Sequence, residues 1–199
     1  MGVSIAGSAD VADTAVIGDS STIWHLAQVR EGAVLGRDCV VGRGAYVGVG
    51  VHVGDNVKIQ NYALVYEPAV LEPGVFVGPA AVLTNDHFPR AVNVDGSPKS
   101  GHDWKPVGVT VLAGASVGAR AVCVAPVTIG RWSMVAAGAV VVRNVPDFAL
   151  VVGVPARRVG WVGRAGHQLD PGDDPALWVC PMTGARYRQR NDDLLEECE

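Results

Sequence analysis

Charge is scarce in this chain: Asp, Glu, Lys and Arg make up 18% of its 199 residues and sum to −4 at neutral pH. No basic stripe stands out, which argues against a nucleic-acid partner. Long apolar runs are missing as well. The longest, near Val140–Val142, falls far short of the ~20 residues that cross a bilayer as a helix, so no membrane partner is expected. The opening residues, MGVSIAGSAD, hold no basic segment followed by an apolar core, so no secretory leader is read. Ala6 stands where N-myristoylation wants Ser or Thr. Cysteine is sparse too, with 4 in the chain and no C-x-x-C spacing. That gives no support for a zinc ribbon or a disulfide framework, and a reducing cytoplasm is the expected setting.

What is present in quantity is aliphatic residues at a constant interval. Ile5, Val11, Ile17, Ile23, Val29, Leu35, Val41, Val47, Val53, Ile59, Val65, Leu71, Val77 and Leu83 fall on every sixth position. After an interruption the spacing resumes at Val111, Val117, Cys123, Ile129, Val135 and Val141. Two residues before many of these sits a small residue, such as Ala33, Cys39, Ala45, Ala63, Ala115 or Ala139. A period of six fits neither the helix nor the simple strand; it fits a chain wound into a three-sided coil, one short flat face per hexad. The fold class expected is all-β, a parallel β-helix, with Cys39 and Cys123 as small inward hydrophobes. Three hexads make one coil. Residues 1–83 therefore supply four to five coils and 109–142 about two more, a prism about 30 Å tall at the spacing of stacked strands. Gly18, Gly36, Gly42, Gly48, Gly54, Gly78, Gly118 and Gly130 follow the aliphatic position and are read as turn glycines with backbone angles closed to other residues.

Three segments stand apart from the period. Residues 84–108 interrupt it, and an insertion of this length in a uniform coil is usually functional or disordered. Phe88, Pro89, Trp104 and Pro106 favour an ordered loop on a surface. Residues 143–162, RNVPDFALVVGVPARRVGW and its flank, form the end of the coil, which the prolines close. Residues 163–199 are a tail, read as a small hairpin around Trp178, Val179, Arg186 and Tyr187, followed by an acidic end that is short helix or frayed.

The hexads IGDSST, LGRDCV, VGRGAY, VGDNVK, VGARAV and IGRWSM resemble those of the hexapeptide-repeat acyltransferases, whose coil is left-handed. Four longer segments narrow the resemblance: STIWHLAQVREGAVLG, VKIQNYALVYEPAVLEPGVFVGPAAVLTND-x-x-PRA, TVLAGASVGARAVCVAPVTIG and AAGAVVVRNVPDFALVVGVPARRVGW. Together they are similar to the nucleotide-sugar amine N-acetyltransferases. That branch moves acetyl from acetyl-CoA to the 3-amino group of UDP- or dTDP-linked 3-amino-3-deoxyhexoses. The resemblance covers residues 1–162, and the tail lies outside it.

The resemblance implies a site. Asn85, from the TND motif, corresponds to the residue that orients the sugar amine; the other reading is a cap on the turn into the loop. His87, an imidazole beside the expected nucleophile, is a candidate general base, although the family keeps no histidine there. Asp86 is expected to hold the loop or the sugar. Arg90 is placed on a phosphate or sugar carboxylate, or as an anchor of its own loop. His25, Lys58, Gln60, Asn61, Tyr66 and Glu67 are the candidates for gripping nucleotide and sugar, with Tyr66 stacking on a base. Many relatives carry a second histidine where this chain has Gln28, so His25 is equally read as a structural residue. Acetyl-CoA is implied along a groove between neighbouring copies, past Ala119, Ala125 and Ala137, with Arg143, Pro155, Arg157 and Arg158 at its phosphates. No metal is expected. A zinc set of the carbonic-anhydrase kind would use His52 and His87, but Val92 stands where the third ligand belongs. A scaffold without catalysis leaves the loop and the arginine-rich end without a purpose, while a hydroxyl acceptor would put weight on His87 or His25 as base. The flat sides of a three-faced prism suit a homotrimer with sites at its junctions.

Overall fold

A computed structural model describes residues 2–191 and 194–198. Short strands of mostly two residues recur at each hexad and stack into three parallel sheets. The first face stacks Ser4–Ile5, Thr22–Ile23, Val40–Val41, Lys58–Ile59, Phe76–Val77, Ser116–Val117, Met134–Val135 and Ala149–Val152. The second face holds Asp10–Val11, Gln28–Val29, Tyr46–Val47, Leu64–Val65, Val82–Leu83, Val122–Cys123 and Val140–Val141. The third holds Val16–Ile17, Val34–Leu35, His52–Val53, Val70–Leu71, Val109–Val111 and Val127–Ile129. This is the left-handed β-helix of hexapeptide repeats. Among the described residues there is no helix, and hence none long and apolar enough to cross a membrane.

Pairing explains why the aliphatic spacing must hold. Ser4 pairs with Thr22 and Ile5 with Ile23, so each rung lies one three-hexad turn above the last. A one-residue slip would turn the aliphatic member outward. The second residue of each strand and the small residue two before it both point inward: Ala33, Leu35, Ala45, Val47, Ala63 and Val65 are essentially inaccessible. Two serines take small inward positions, and their hydroxyls are satisfied. Ser21 Oγ donates to Gly36 O (3.0 Å) and accepts from Cys39 N (3.0 Å), and Ser133 Oγ donates to Gly130 O (2.7 Å).

The glycines serve a purpose different from the one the sequence suggests. Gly42 and Gly78 do not have positive φ. A Cβ on Gly42 would lie 2.6 Å from the backbone N of Asn61, and one on Gly78 would lie 2.6 Å from that of Ala119. They are glycine because the coil above closes directly over them. The left-handed corner position falls two residues later, where Leu26, Asn56, Tyr62 and Trp132 accept it as readily as Gly44 or Gly114 do.

The coil also runs further than the prolines imply. Val145 N donates to Thr128 O (2.8 Å) and its carbonyl accepts from Gly130 N (2.9 Å), so the rung survives next to Pro146. Ala149–Val152 then adds an eighth rung to the first face before Arg157–Trp161 turns back antiparallel against it. Proline's missing N–H is harmless here because the neighbouring residues carry the bonds.

The tail is more than a hairpin. Asp170–Pro171, Leu177–Val179, Arg186–Asn191 and Leu194–Glu197 form a four-stranded antiparallel sheet, with Trp178 opposite Tyr187. The acidic end is therefore strand at Leu194–Glu197, tied by Arg190 Nε to Glu196 (2.6 Å), rather than helix. Trp161, Leu169, Cys180, Tyr187 and Leu195 join the core of the coil. Gln189 Oε1 accepts from the indoles of Trp161 (3.2 Å) and Trp178 (3.0 Å), which lets both rings be buried or half-buried with their N–H groups satisfied.

Cys123 takes an aliphatic place on the second face, and burial pushes its thiol up to about 12. The unfolded thiol titrates near 8.5, so between about pH 9 and 12 the unfolded state alone loses that proton. Stability is fully present below that window and falls through it, by up to about 1.4 kcal/mol per pH unit for this group. Denaturant unfolding from pH 8 to 10.5 is expected to show a shallower alkaline loss in Cys123→Val than in the parent; equal slopes would refute the assignment.

Candidate functional site

The corner between the second and third faces carries the chemistry-bearing residues in order of height. Tyr66 and Glu67 follow Val65, Asn85, Asp86 and His87 follow Leu83, and Ala125 and Arg143 follow Cys123 and Val141 on the coils beyond. The Tyr66 ring lies 5.2 Å from that of Tyr46 on the adjoining face. Burial first, and then the carboxylate of Glu67, push the Tyr46 hydroxyl above its ordinary range. Glu67 Oε2 is buried without a protein donor.

At the mouth of the inserted loop the backbone is pinned. Thr84 Oγ1 accepts from Ala125 N (3.0 Å), and Asn85 O accepts from Val107 N (3.0 Å), which brings the two ends of the loop together. Asp86 Oδ1 accepts from Phe88 N (2.8 Å), an Asx turn that starts the excursion. His87 Nδ1 lies 3.1 Å from Ala125 O. A carbonyl only accepts, so Nδ1 carries the proton and Nε2 is left as an acceptor. Asp86, His87, Phe88, Trp104, Lys105 and Pro126 line a pocket of about 410 Å³. The loop is ordered by its own turns, with Asn93 N donating to Ser97 O and Asp103 Oδ2 accepting from Ser100 Oγ (2.7 Å). Arg90 does not line the pocket; its Nη1 donates to Pro89 O within the loop. Ala125 is buried with its N–H already bonded, so it offers less backbone to a ligand than its spacing implies.

Other residues singled out in the sequence lie on the corner between the first and second faces. His25, Gln60, Asn61, Ala119 and Ala137 stack there, and Lys58 stands beside them on the first face next to Phe76. His25 Nδ1 is 2.9 Å from Ser8 Oγ. Asn61 Oδ1 accepts the backbone N–H of Arg43 (2.8 Å), as Asp55 Oδ1 accepts that of Arg37 (2.7 Å) at the third corner. Trp24, His25, Arg43 and Asn61 enclose about 300 Å³. Further along, Phe76, Ser116, Met134, Ala136 and Ala137 line an apolar groove of about 270 Å³. Within one chain the full width of the second face separates this corner from Asn85 and His87.

At the end of the coil, Arg143, Asn144, Pro146, Ala156, Arg157 and Arg158 line a cavity of about 550 Å³. Pro155 sits in the turn between the last parallel strand and its antiparallel partner. The Arg158 guanidinium lies over the Trp161 ring at 4.2 Å, and Arg157 Nη1 donates to Ala156 O. Three guanidinium groups beside one cavity suit the phosphates of a coenzyme A molecule. Among the described residues, no group of three His, Cys, Asp or Glu is placed to hold a metal ion.

The bacterial transferase hexapeptide family (six repeats) matches residues 14–48, and the hexapeptide repeat of succinyl-transferase matches residues 108–143. Over these two stretches the chain is similar to bacterial transferase hexapeptide repeats. It is 45% identical over 78 residues to dTDP-3-amino-3,6-dideoxy-alpha-D-galactopyranose 3-N-acetyltransferase of Aneurinibacillus thermoaerophilus, covering 39% of each chain. It is 38% identical over 88 residues to the serine acetyltransferase of Escherichia coli K12, covering 44% of this chain and 31% of that enzyme. The matched stretch thus spans less than half the length of either relative. The acetyltransferase domain of PglB from Neisseria gonorrhoeae, solved in complex with acetyl coenzyme A, shares the fold. Its TM-score is 0.52 at 24% identity, over 79% of this chain and 57% of that one.

The hexapeptide frame explains what sequence reading missed. Trp24, Arg43, Lys99 and Lys105 line pockets although none of them was singled out as a candidate site residue. Arg43 was legible in principle, since it lies one three-hexad turn from both His25 and Asn61.

The bond from His87 to Ala125 ties the loop to the coil. Its net worth of about 1 kcal/mol predicts about fivefold faster proteolytic cleavage within residues 88–106 in His87→Ala, with the melting temperature of the coil unchanged. Equal cleavage rates would show that the bond does not hold the loop.

Proposed function

We propose that this protein is an acetyl-CoA-dependent N-acetyltransferase acting on the 3-amino group of a nucleotide-linked amino sugar, as a homotrimer in the cytoplasm. The observation that carries the reading is the rung Asn85–Asp86–His87, set at a fixed corner where a pocket-forming loop leaves the coil. The chain's likeness over 78 residues to the dTDP-sugar 3-N-acetyltransferase supports the choice of acceptor.

Acetyl-CoA supplies an activated thioester, so positioning can provide much of the rate. Asn85 holds the sugar amine through its side-chain oxygen, with the lone pair directed at the thioester carbonyl. The new C–N bond forms, the C–S bond breaks, and the proton shed by the amine goes to the departing thiolate. His87 offers a second reading of that last step, because Nε2 is the free acceptor once Nδ1 is bonded to Ala125. The arginines at the end of the coil, Arg143, Arg157 and Arg158, take the coenzyme's phosphates.

The positions of the residues support the trimer reading. The outward members of the second face from Tyr46 onward are Tyr46, Leu64, Val82, Val122 and Val140, an unbroken column of large apolar groups. The first face interrupts its column with Lys58 and Ser116, and the third with His52. Cyclic packing about the second face sets the first corner of one subunit against the second corner of the next. His25, Asn61, Ala119 and Ala137 then meet Tyr66, Asn85 and His87, which one chain keeps apart.

Light scattering is expected to give about 62 kDa, three times the 20.7 kDa chain, and a monomeric mass would refute the assembly. Asn85→Ala is expected to lower kcat on a 3-amino sugar nucleotide by one to two orders of magnitude, or about 1.4–2.7 kcal/mol. Unchanged turnover would remove Asn85 from the mechanism. Under direct attack, His87→Ala stays within a few-fold of the parent at all pH values. If His87 is the base, the same variant loses the acidic limb of its pH profile along with most of its rate.

A further inference from the structure

We infer that the tip of the inserted loop, with Phe88, Val92, Val94 and Asp95, docks on the first face of the neighbouring copy, over Lys58, Phe76, Ser116 and Met134. The inference rests on the trimer reading above, which brings the two surfaces to one seam.

The loop is folded so as to present these side chains. Within one chain Phe88 is 75% exposed, Val92 is 47% exposed and Val94 stands fully in solvent. Apolar groups gathered on one ordered loop mark a contact surface, whereas single ones scattered over a protein do not. The backbone that carries them is closed on itself. Val92 bridges Pro98, and Asn93 N donates to Ser97 O (2.8 Å). Asp95 Oδ1 accepts from Ser97 Oγ (2.7 Å) and from Ser97 N (2.9 Å). A tip already folded in this way needs little further ordering when it is buried. The bonds from the Ser97 hydroxyl, and then from its N–H, hold the Asp95 carboxyl below its ordinary range. Val94 is thus followed by a fixed negative charge.

The receiving face matches the tip in chemistry, charge and height. Phe76, Ser116 and Met134 stand one above another on the first face and line the apolar groove of about 270 Å³. Phe76 is 36% exposed. Lys58 stands directly below it, and its ammonium takes no hydrogen bond or ion pair among the described residues. An apolar residue followed by a carboxylate on the tip therefore faces an apolar ring next to a cation on the sheet. Asn85 and Phe76 belong to the same coil, and Met134 lies two coils above, about 10 Å at the spacing of stacked strands. Cyclic packing about the second face turns the second corner of one subunit toward the first corner of the next. The first face of that neighbour runs outward from its first corner. Thr84, Asn85 and His87 pin the loop root at the second corner, so the loop leaves it along that outward face. Seated there, it closes the outer side of the seam in which Asn85 meets the neighbouring copy.

The test is disulfide trapping in the full chain, with light scattering on the same preparations. Val94→Cys is coexpressed in turn with differently tagged Phe76→Cys, Ser116→Cys and Met134→Cys chains, so that the two cysteines lie on different copies. A disulfide forms only where the two Cα atoms come within about 7 Å. At least one pair is expected to give a linked species carrying both tags, lost on reduction, while each variant alone runs as a monomer on a non-reducing gel. A trimeric mass with no linked species in any pair overturns the docking and leaves the trimer reading standing. A monomeric mass removes that reading and the docking with it. Charge gives a second arm. Asp95→Lys is expected to speed chymotryptic cleavage within residues 88–106 about three- to fivefold, and Lys58→Glu in the same chain to restore the parent rate. Equal rates in the parent and Asp95→Lys overturn the pairing of the tip with Lys58. A rate that stays high in the double variant places the effect in the turn itself and overturns the pairing as well.

Discussion

Every part of this molecule depends on the hydrogen-bonded register that places each residue directly over the one a full turn earlier. Thr22 stands on Ser4, Val40 on Thr22 and Lys58 on Val40. Because strands of two residues cannot hold a sheet alone, stability comes from the stack: each rung satisfies the backbone of the next and buries two side chains in one continuous core. The register also explains why glycines sit under side chains such as Asn61 and Asp55, whose oxygens reach down to a backbone N–H on the coil below. Corners are thus places where one coil constrains the chemistry of its neighbour.

The inserted loop obeys the same rule. Leu71 pairs with Val111 and Leu83 with Cys123, as though residues 84–108 had been added without disturbing the stack. Its ends are held together by the bond from Val107 to Asn85, and its root is held to the next coil by Thr84 and His87. A rigid frame therefore presents Asn85 beside a loop that is ordered by turns of its own. The proposed catalysis by positioning would use that division of labour, with the amine held while its substituents are accommodated.

The far end shows how an open coil is closed. Stacked strands leave unpaired edges, which invite association. Here the last parallel strand is covered by Arg157–Trp161 running back along it, and the four-stranded tail places Tyr187 against Phe148 with ring centroids 5.4 Å apart. The same reversal carries Arg157 and Arg158 to the cavity that Arg143 lines. Closing the coil and assembling a cationic pocket are consequences of one turn.

The repeat was legible because inward aliphatic residues at a fixed interval leave a signal that no local context can disguise; Ile23 through Leu83 and Val111 through Val141 all fall on the core. The position of Asn85 at the mouth of the loop was legible for the same reason, since the break in period marks it. The eighth rung was not, because there the bonds pass through Val145 and its neighbours while the hexad spacing is shortened. Nor was the tail, whose strands are specified by contacts with the coil, such as Trp161 and Tyr187 in its core, rather than by a period of their own. Three hexads to the turn already put His25, Arg43 and Asn61 on one corner; tertiary structure alone decided how the side chains there are held, Asn61 on the Arg43 N–H and the Tyr62 ring over Gly44. Sequence spacing modulo eighteen assigns a corner only once the winding is known, and side-chain orientation at each corner is set by the coil above.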